Sequence, residues 1–207
     1  MKVLKWIGYI LGGLIAIIVV ALVVFYFMSE QKLSNNFMLT PDAVTVPSDE
    51  ASIARGQHLA ESQADCVGCH TPNLGGDTFI DEPGFAQIAA PNLTSGEGGI
   101  GATYTDEDWV RALRHGVAKD GRQLIIMPSQ SFNYLTDEDL GALIAYIKTA
   151  APVDQSWPAR SVAFIPTRIL LALGIIPFAP DLIAENSPRT NLEPGVTVEY
   201  GEYIARI

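Results

Sequence analysis

The two cysteines of this chain stand three positions apart in Cys66-Val67-Gly68-Cys69-His70, and no third thiol exists in its 207 residues. Cys-x-x-Cys-His is the spacing at which two thiols add to the vinyl groups on one side of a haem. The imidazole of the next residue then faces the iron as its proximal ligand. A disulfide between Cys66 and Cys69 would close a very small loop and leave His70 without a task. A thioredoxin-like redox pair needs a βαβ context, which is missing around the motif. A zinc site needs further soft or imidazole ligands, and the other histidines, His58 and His115, sit in helical patterns. The motif therefore predicts one covalently bound haem c, attached through Cys66 and Cys69 and ligated by His70.

The start of the chain bears on its compartment. Residues 6–28 contain no charged side chain, and as a helix they would reach about 34 Å, enough to cross a hydrocarbon layer of about 30 Å with some tilt. Lys2 and Lys5 precede this stretch, which favours an N-terminus left in the cytoplasm. The run is too long for the apolar part of a signal peptide, and no Ala-x-Ala-like site stands near its end at Phe25-Tyr26-Phe27-Met28. The expected arrangement is an uncleaved single-pass anchor over 1–28 in the cytoplasmic membrane. The rest would lie on its periplasmic, extracytoplasmic side, where haem is attached covalently. The formal net charge of −10 makes nucleic acid and anionic lipid poor partners for the globular part and suits a redox partner with a basic or mixed face.

Residues 29–48, punctuated by Pro41 and Pro47, read as a tether. A helical pattern begins near Asp49, with Ile53, Gly56, Leu59 and Ala60 on one face. Residues 71–103 are rich in Gly and Pro and read as a long loop. So long a structureless connection is unusual in a compact domain, unless it wraps a cofactor that supplies the core. Thr105 then caps a helix opened by Asp106-Glu107-Asp108, with Trp109, Val110, Leu113 and Val117 as its apolar face. Leu124-Ile125-Ile126-Met127-Pro128 reads as extended. Thr136-Asp137-Glu138-Asp139 repeats the cap before a third helix, which Pro152 stops. Residues 49–152 thus form one helical domain. Residues 153–198 read as a linker, within which 164–183 are apolar but broken by Pro166, Arg168, Pro177 and Pro180. Those interruptions argue against a second span and for packing on the domain or a partner, with a contact at the membrane surface as the lesser alternative. Residues 186–197 read as turn-like.

For the second axial position of the iron, Met127, Met38, His58 and His115 are the candidates. Met127 lies one helix beyond His70, and Pro128 restricts it to an extended backbone. A thioether so held is a good soft ligand, and His/Met ligation raises the reduction potential. Core filling is its alternative role.

Several further stretches carry a family resemblance. These are Arg55-Gly56, Ala90-Pro91-Asn92-Leu93-Thr94, Tyr104-Thr105-Asp106-Glu107-Asp108-Trp109, Ala112-Leu113-Arg114-His115-Gly116-Val117, Asp120-Gly121, Met127-Pro128 and Leu135-Thr136-Asp137-Glu138-Asp139-Leu140 with Ala145-Tyr146. Over about half the chain, the sequence resembles the class I cytochrome c domains of membrane-tethered multi-haem bacterial cytochromes. Some of these are electron-accepting subunits of alcohol, aldehyde or sugar dehydrogenases. The resemblance implies an all-α domain of three main helices with long loops around haem c. It implies axial ligation by His70 and Met127, with a backbone carbonyl near Pro91 orienting the histidine. It sets Tyr104 and Trp109 near the haem edge or propionates, a place that core packing would explain equally well. It also implies contact between the first and last helices, which Gly56 and Tyr146 would suit.

Relatives of this kind usually carry two or three haem domains, whereas this chain has one attachment motif. Residues 199–207 resemble the helix that precedes the motif, with Tyr200-Gly201 standing where Arg55-Gly56 stands 145 places earlier. They are read as the start of a second cytochrome c domain, with a tail helix that docks back onto the first domain or a neighbouring subunit as the alternative. The functional expectation is electron transfer rather than catalysis, between respiratory-chain or dehydrogenase partners, since no nucleophile–base constellation or phosphate loop is present. A haem oxidase or peroxidase subunit, or a redox or gas sensor, is the alternative if the sixth ligand is displaceable.

Overall fold

A computed structural model describes residues 2–34, 37, 39–82, 84–162, 164–183, 192 and 194–207. Helix α1 spans Lys2–Ser34. It is long and apolar enough to cross a membrane, and the aliphatic side chains along it are largely exposed. A helix that is apolar all round calls for a solvent other than water.

The chain after α1 does not dangle as the expected tether. The Phe37 N–H donates to the Gly121 carbonyl at 2.8 Å, and Arg111 Nε donates to Leu39 O at 3.0 Å. Pro41 is buried, and Val44 and Val46 pack on the domain core. A Cβ on Gly141 would sit 2.2 Å from Thr45 O. Residue 37 and residues 39–47 are therefore a strap laid across the domain.

Helix α2 (Glu50–Glu61) starts at the Asp49 cap, whose carboxylate accepts the Ser52 N–H at 2.9 Å. The haem motif forms a single turn, α3 (Cys66–His70). Helix α4 (Asp106–His115) has the expected capping box between Thr105 and Asp108 and ends at Gly116 in the left-handed region, φ +66°. A short α5 (Ser129–Phe132) precedes α6 (Asp137–Thr149), capped by Thr136. Helices α2 and α6 cross at Gly56, where an added Cβ would lie 2.0 Å from Ala142 O. This is the contact expected of the first and last helices. Leu59, Leu113, Leu135, Leu140, Leu143 and Ile144 form the core around it.

Residues 71–103 are not structureless, and the fold is not purely α. Strands β1 (Asp77–Glu82) and β2 (Ala86–Ala90) form an antiparallel hairpin, to which β3 (Ser161–Val162) adds a third strand. Every side chain of β1 except one is exposed, so this strand lacks the one-sided burial that gives strands their alternating pattern, and in β2 only Ala86 and Ala90 are fully buried. Its third strand comes from a remote part of the chain.

The apolar stretch 164–183 turns at Phe164–Arg168, forms α7 (Ile169–Ala172) and ends in a 3₁₀ turn at Ala179–Leu182. It packs between the end of α1 and the domain. Residues 186–191 and 193 of the turn-like tail, and Met38, lie outside the described residues. Helix α8 (Val198–Arg206) lies against the domain with Tyr203 buried.

Candidate haem-binding site

The attachment turn α3 is bracketed by two non-glycine residues with positive φ, Asp65 at 43° and Thr71 at 65°. These bends confine the motif to one turn and place Cys66 in the core and Cys69 half-exposed. Both thiols are free. Burial pushes the Cys66 thiol up to about 12 and raises that of Cys69 as well, the reverse of the lowered values of a reactive redox pair.

His70 is buried, and its Nδ1–H donates to the Pro91 carbonyl at 2.8 Å. Burial lowers its pKa, with the Pro91 contact opposing in part. The ring is thus a neutral imidazole oriented through Nδ1, with Nε2 left without a protein partner among the described residues. This contact at the metal-facing histidine is the kind that fixes tautomer and basicity.

The Pro91 carbonyl is itself held. Asn92, fully buried, donates from Nδ2 to Val153 O at 2.6 Å and Gln155 O at 3.1 Å. Its Oδ1 accepts from the Thr94 N–H and hydroxyl at 2.9 and 2.8 Å. On the other side, the Gly76 N–H donates to His70 O at 2.9 Å. Gly76 has φ +84°, and a Cβ there would come within 2.3 Å of Ala90 O. Trp157 Nε1 donates to Gly75 O at 2.9 Å. Asn92 stands in a stretch the sequence singles out, but its task of joining the Pro91 strand to the chain after α6 carries no local signal. Neither does that of Trp157.

Met127 stands in the connection between α4 and α5, half-buried against the cluster that contains Cys66 and Trp109. This connection is tied down on either side of Ile125 and Ile126. The Leu124 N–H donates to Gly116 O at 2.8 Å, and the Ala179 N–H to Leu124 O at 2.9 Å. The buried Ser129 hydroxyl donates to Ala112 O at 3.0 Å, and Asn133 Nδ2 donates to Arg114 O at 2.9 Å. Ser129, Asn133 and Ala179 have no sequence signal beyond being small or polar. Of the other candidate ligands, His58 is exposed on α2 and His115 is half-buried at the end of α4.

Tyr104 and Trp109 meet with ring centroids 4.9 Å apart. The Tyr104 hydroxyl accepts the Lys119 N–H at 3.2 Å. Trp109 is 3% exposed, and its Nε1 has no hydrogen-bond acceptor among the described residues. A buried indole N–H normally finds one. Free paired thiols, an oriented neutral imidazole and a buried donor lacking an acceptor fit a porphyrin that carries carboxylates.

A fold of three capped helices around such a motif defines a covalent haem protein. Residues 53–151 match the Cytochrome c family, and this part of the chain is a cytochrome c domain, which binds haem c covalently. The chain is 44% identical over 132 residues to the fructose dehydrogenase cytochrome subunit of Gluconobacter japonicus, covering 60% of this chain and 26% of that protein. It is 35% identical over 147 residues to the gluconate 2-dehydrogenase cytochrome c subunit of Pantoea cypripedii, covering 66% and 32%. It is 38% identical over 126 residues to the cytochrome c subunit of the quinone alcohol dehydrogenase of Gluconobacter oxydans, covering 54% and 26%. The chain thus spans between a quarter and a third of the length of these relatives.

Proposed function

We propose that this chain relays single electrons through a His/Met-ligated haem c held at the periplasmic face of the cytoplasmic membrane by α1. The relay would serve a membrane-bound dehydrogenase that oxidises a sugar or an alcohol. The observation that carries this reading is the His70–Pro91 contact beside two free thiols, in a chain similar to cytochrome subunits of a fructose, a gluconate and an alcohol dehydrogenase. The bound haem supplies a one-electron iron couple. Cys66 and Cys69 would hold its edge, and His70 would present Nε2 to the iron while Pro91 keeps the ring from turning. Met127, tied through Leu124 and Ser129, would close the opposite face and exclude other ligands. Trp109 would donate to a propionate. No residue of this chain is assigned a role in substrate chemistry.

Between Asp49 and Ala151 stand 15 Asp or Glu against 6 Lys or Arg, a net −9. Such a surface steers basic partners and loses that steering as salt rises. The test is the rate at which a solubilised sugar or alcohol dehydrogenase reduces the purified holoprotein, read at several ionic strengths. Reduction that slows as salt rises supports the relay and its charge-guided docking. No reduction by any such donor refutes the dehydrogenase assignment. We further read α8 as the first element of a second haem domain, on the likeness of Tyr200-Gly201 to Arg55-Gly56. Intact mass together with a haem count per chain of the native protein tests that.

A further inference from the structure

We propose that residues 165–175 form a second membrane contact, an apolar edge that seats the haem domain in the headgroup layer beside α1. The inference rests on α1 being a membrane span.

Between residues 164 and 180 the only charge is Arg168. Its guanidinium donates to Glu30 at 2.6 Å and to Ser29 Oγ at 3.4 Å, and it lies 4.9 Å above the ring of Tyr26. These contacts fix the start of α7 to the last uncharged turn of α1. A Cβ on Gly174 would lie 3.7 Å from Lys32 Nζ, so the end of this segment stands beside Lys32. By the rise of a helix, Lys32 lies about 6 Å beyond Met28, where the uncharged span ends. The headgroup layer is roughly 5–8 Å deep on each side of the hydrocarbon. The segment is thus held at the level of that layer.

Its side chains divide accordingly. Leu171 and Ala172 face inward and are buried, whereas Ile165, Leu173 and Ile175 are 53%, 55% and 62% exposed. Lys32 stands beside the end of the segment, where a long cationic side chain reaches the phosphates. Apolar residues beside a cation, continuous with a spanning helix, fit the boundary between headgroups and acyl chains. The acidic balance of the domain does not oppose this, because the segment carries none of it before Asp181. The strap works in the same direction, since Phe37 and Leu39, shortly after α1, are held to the domain at Gly121 and Arg111.

The test uses the full-length holoprotein, whose native cysteines are consumed by haem, in vesicles of phosphatidylethanolamine and phosphatidylglycerol. A nitroxide is placed in turn at Leu173→Cys, Ile175→Cys, Ile18→Cys within α1, and Gln57→Cys on the exposed face of α2. Collision of each label with oxygen is compared with collision with a water-soluble nickel chelate. Leu173 and Ile175 are expected to favour oxygen several-fold, as Ile18 does, while Gln57 favours the chelate. Chelate preference at Leu173 and Ile175, with oxygen preference kept at Ile18, overturns the contact and leaves the span standing. Shielding of both labels from both reagents also overturns it and assigns the edge to a second copy of the chain. Chelate preference at Ile18 removes the span and the contact together.

Discussion

The Tyr203 hydroxyl donates to Asp139 Oδ2 at 2.7 Å and joins α8 to the first turn of α6. The same carboxylate accepts Arg55 through two bonds of 2.8 and 2.9 Å, and Arg55 also donates to the Tyr200 hydroxyl at 3.0 Å. One carboxylate thereby unites three helices. Asp139→Ala is expected to cost about 3 kcal/mol, because it leaves a half-buried guanidinium and a buried hydroxyl without their acceptor. Tyr203→Phe, which removes the donor to Asp139 and the acceptor of the buried Thr136 N–H, should cost less, about 1–2 kcal/mol. Urea unfolding of the holoprotein measures both, and equal costs for the two variants would mean that Arg55 does not depend on Asp139.

The same contact has a pH signature. Burial first, and the neighbouring Asp139 second, raise the Tyr203 pKa above its ordinary value. The folded state therefore holds the neutral phenol more firmly than the unfolded state does. The stability it contributes is complete below the ordinary tyrosine value of about 10 and is lost as pH rises from there toward the raised folded value. Wild type should keep a constant advantage over Tyr203→Phe up to about pH 10 and lose it above. An advantage unchanged through pH 11 would contradict the assignment.

Gly56→Ala places a Cβ 2.0 Å from Ala142 O and 2.5 Å from its carbonyl carbon. Backbone cannot yield as a flexible side chain would, so α2 and α6 must separate. A loss of at least about 1–3 kcal/mol is expected, read from the denaturation midpoint. Gly201→Ala, with nothing within 4 Å of the added Cβ, is the matched control and should be neutral or slightly stabilising.

Much of this was legible in the sequence, for physical reasons that can be named. Asp49, Thr105 and Thr136 are cap residues followed by acids, and each opens the expected helix. Cys66, Cys69 and His70 declare themselves by spacing alone. The hairpin of β1 and β2 was hidden because β1 is almost wholly exposed and its third strand lies beyond residue 160. The strap at 39–47 was hidden because extended chain punctuated by Pro41 and Pro47 looks the same whether it is free or docked. Asn92, Ser129 and Ala179 act through backbone groups distant in sequence, and no local pattern encodes such a partner. The tie from His70 to Pro91 was expected only through family resemblance, and no periodicity would have supplied it.

Met127→Ala should leave the haem covalently attached, since Cys66 and Cys69 are untouched, and should open the face opposite His70. The expected outcome is a five-coordinate or exogenous-ligand-binding haem with a lowered potential. Spectra and potential indistinguishable from wild type would remove Met127 from the site.

The most direct measurement is the optical and EPR spectrum of the purified wild-type holoprotein in both oxidation states, with and without carbon monoxide. A dedicated electron relay requires six-coordinate, low-spin iron in the oxidised and the reduced protein, with a reduced spectrum that carbon monoxide leaves unchanged. High-spin iron, or a prompt shift on adding carbon monoxide, would show a displaceable sixth ligand and contradict the relay in favour of a ligand-binding haem.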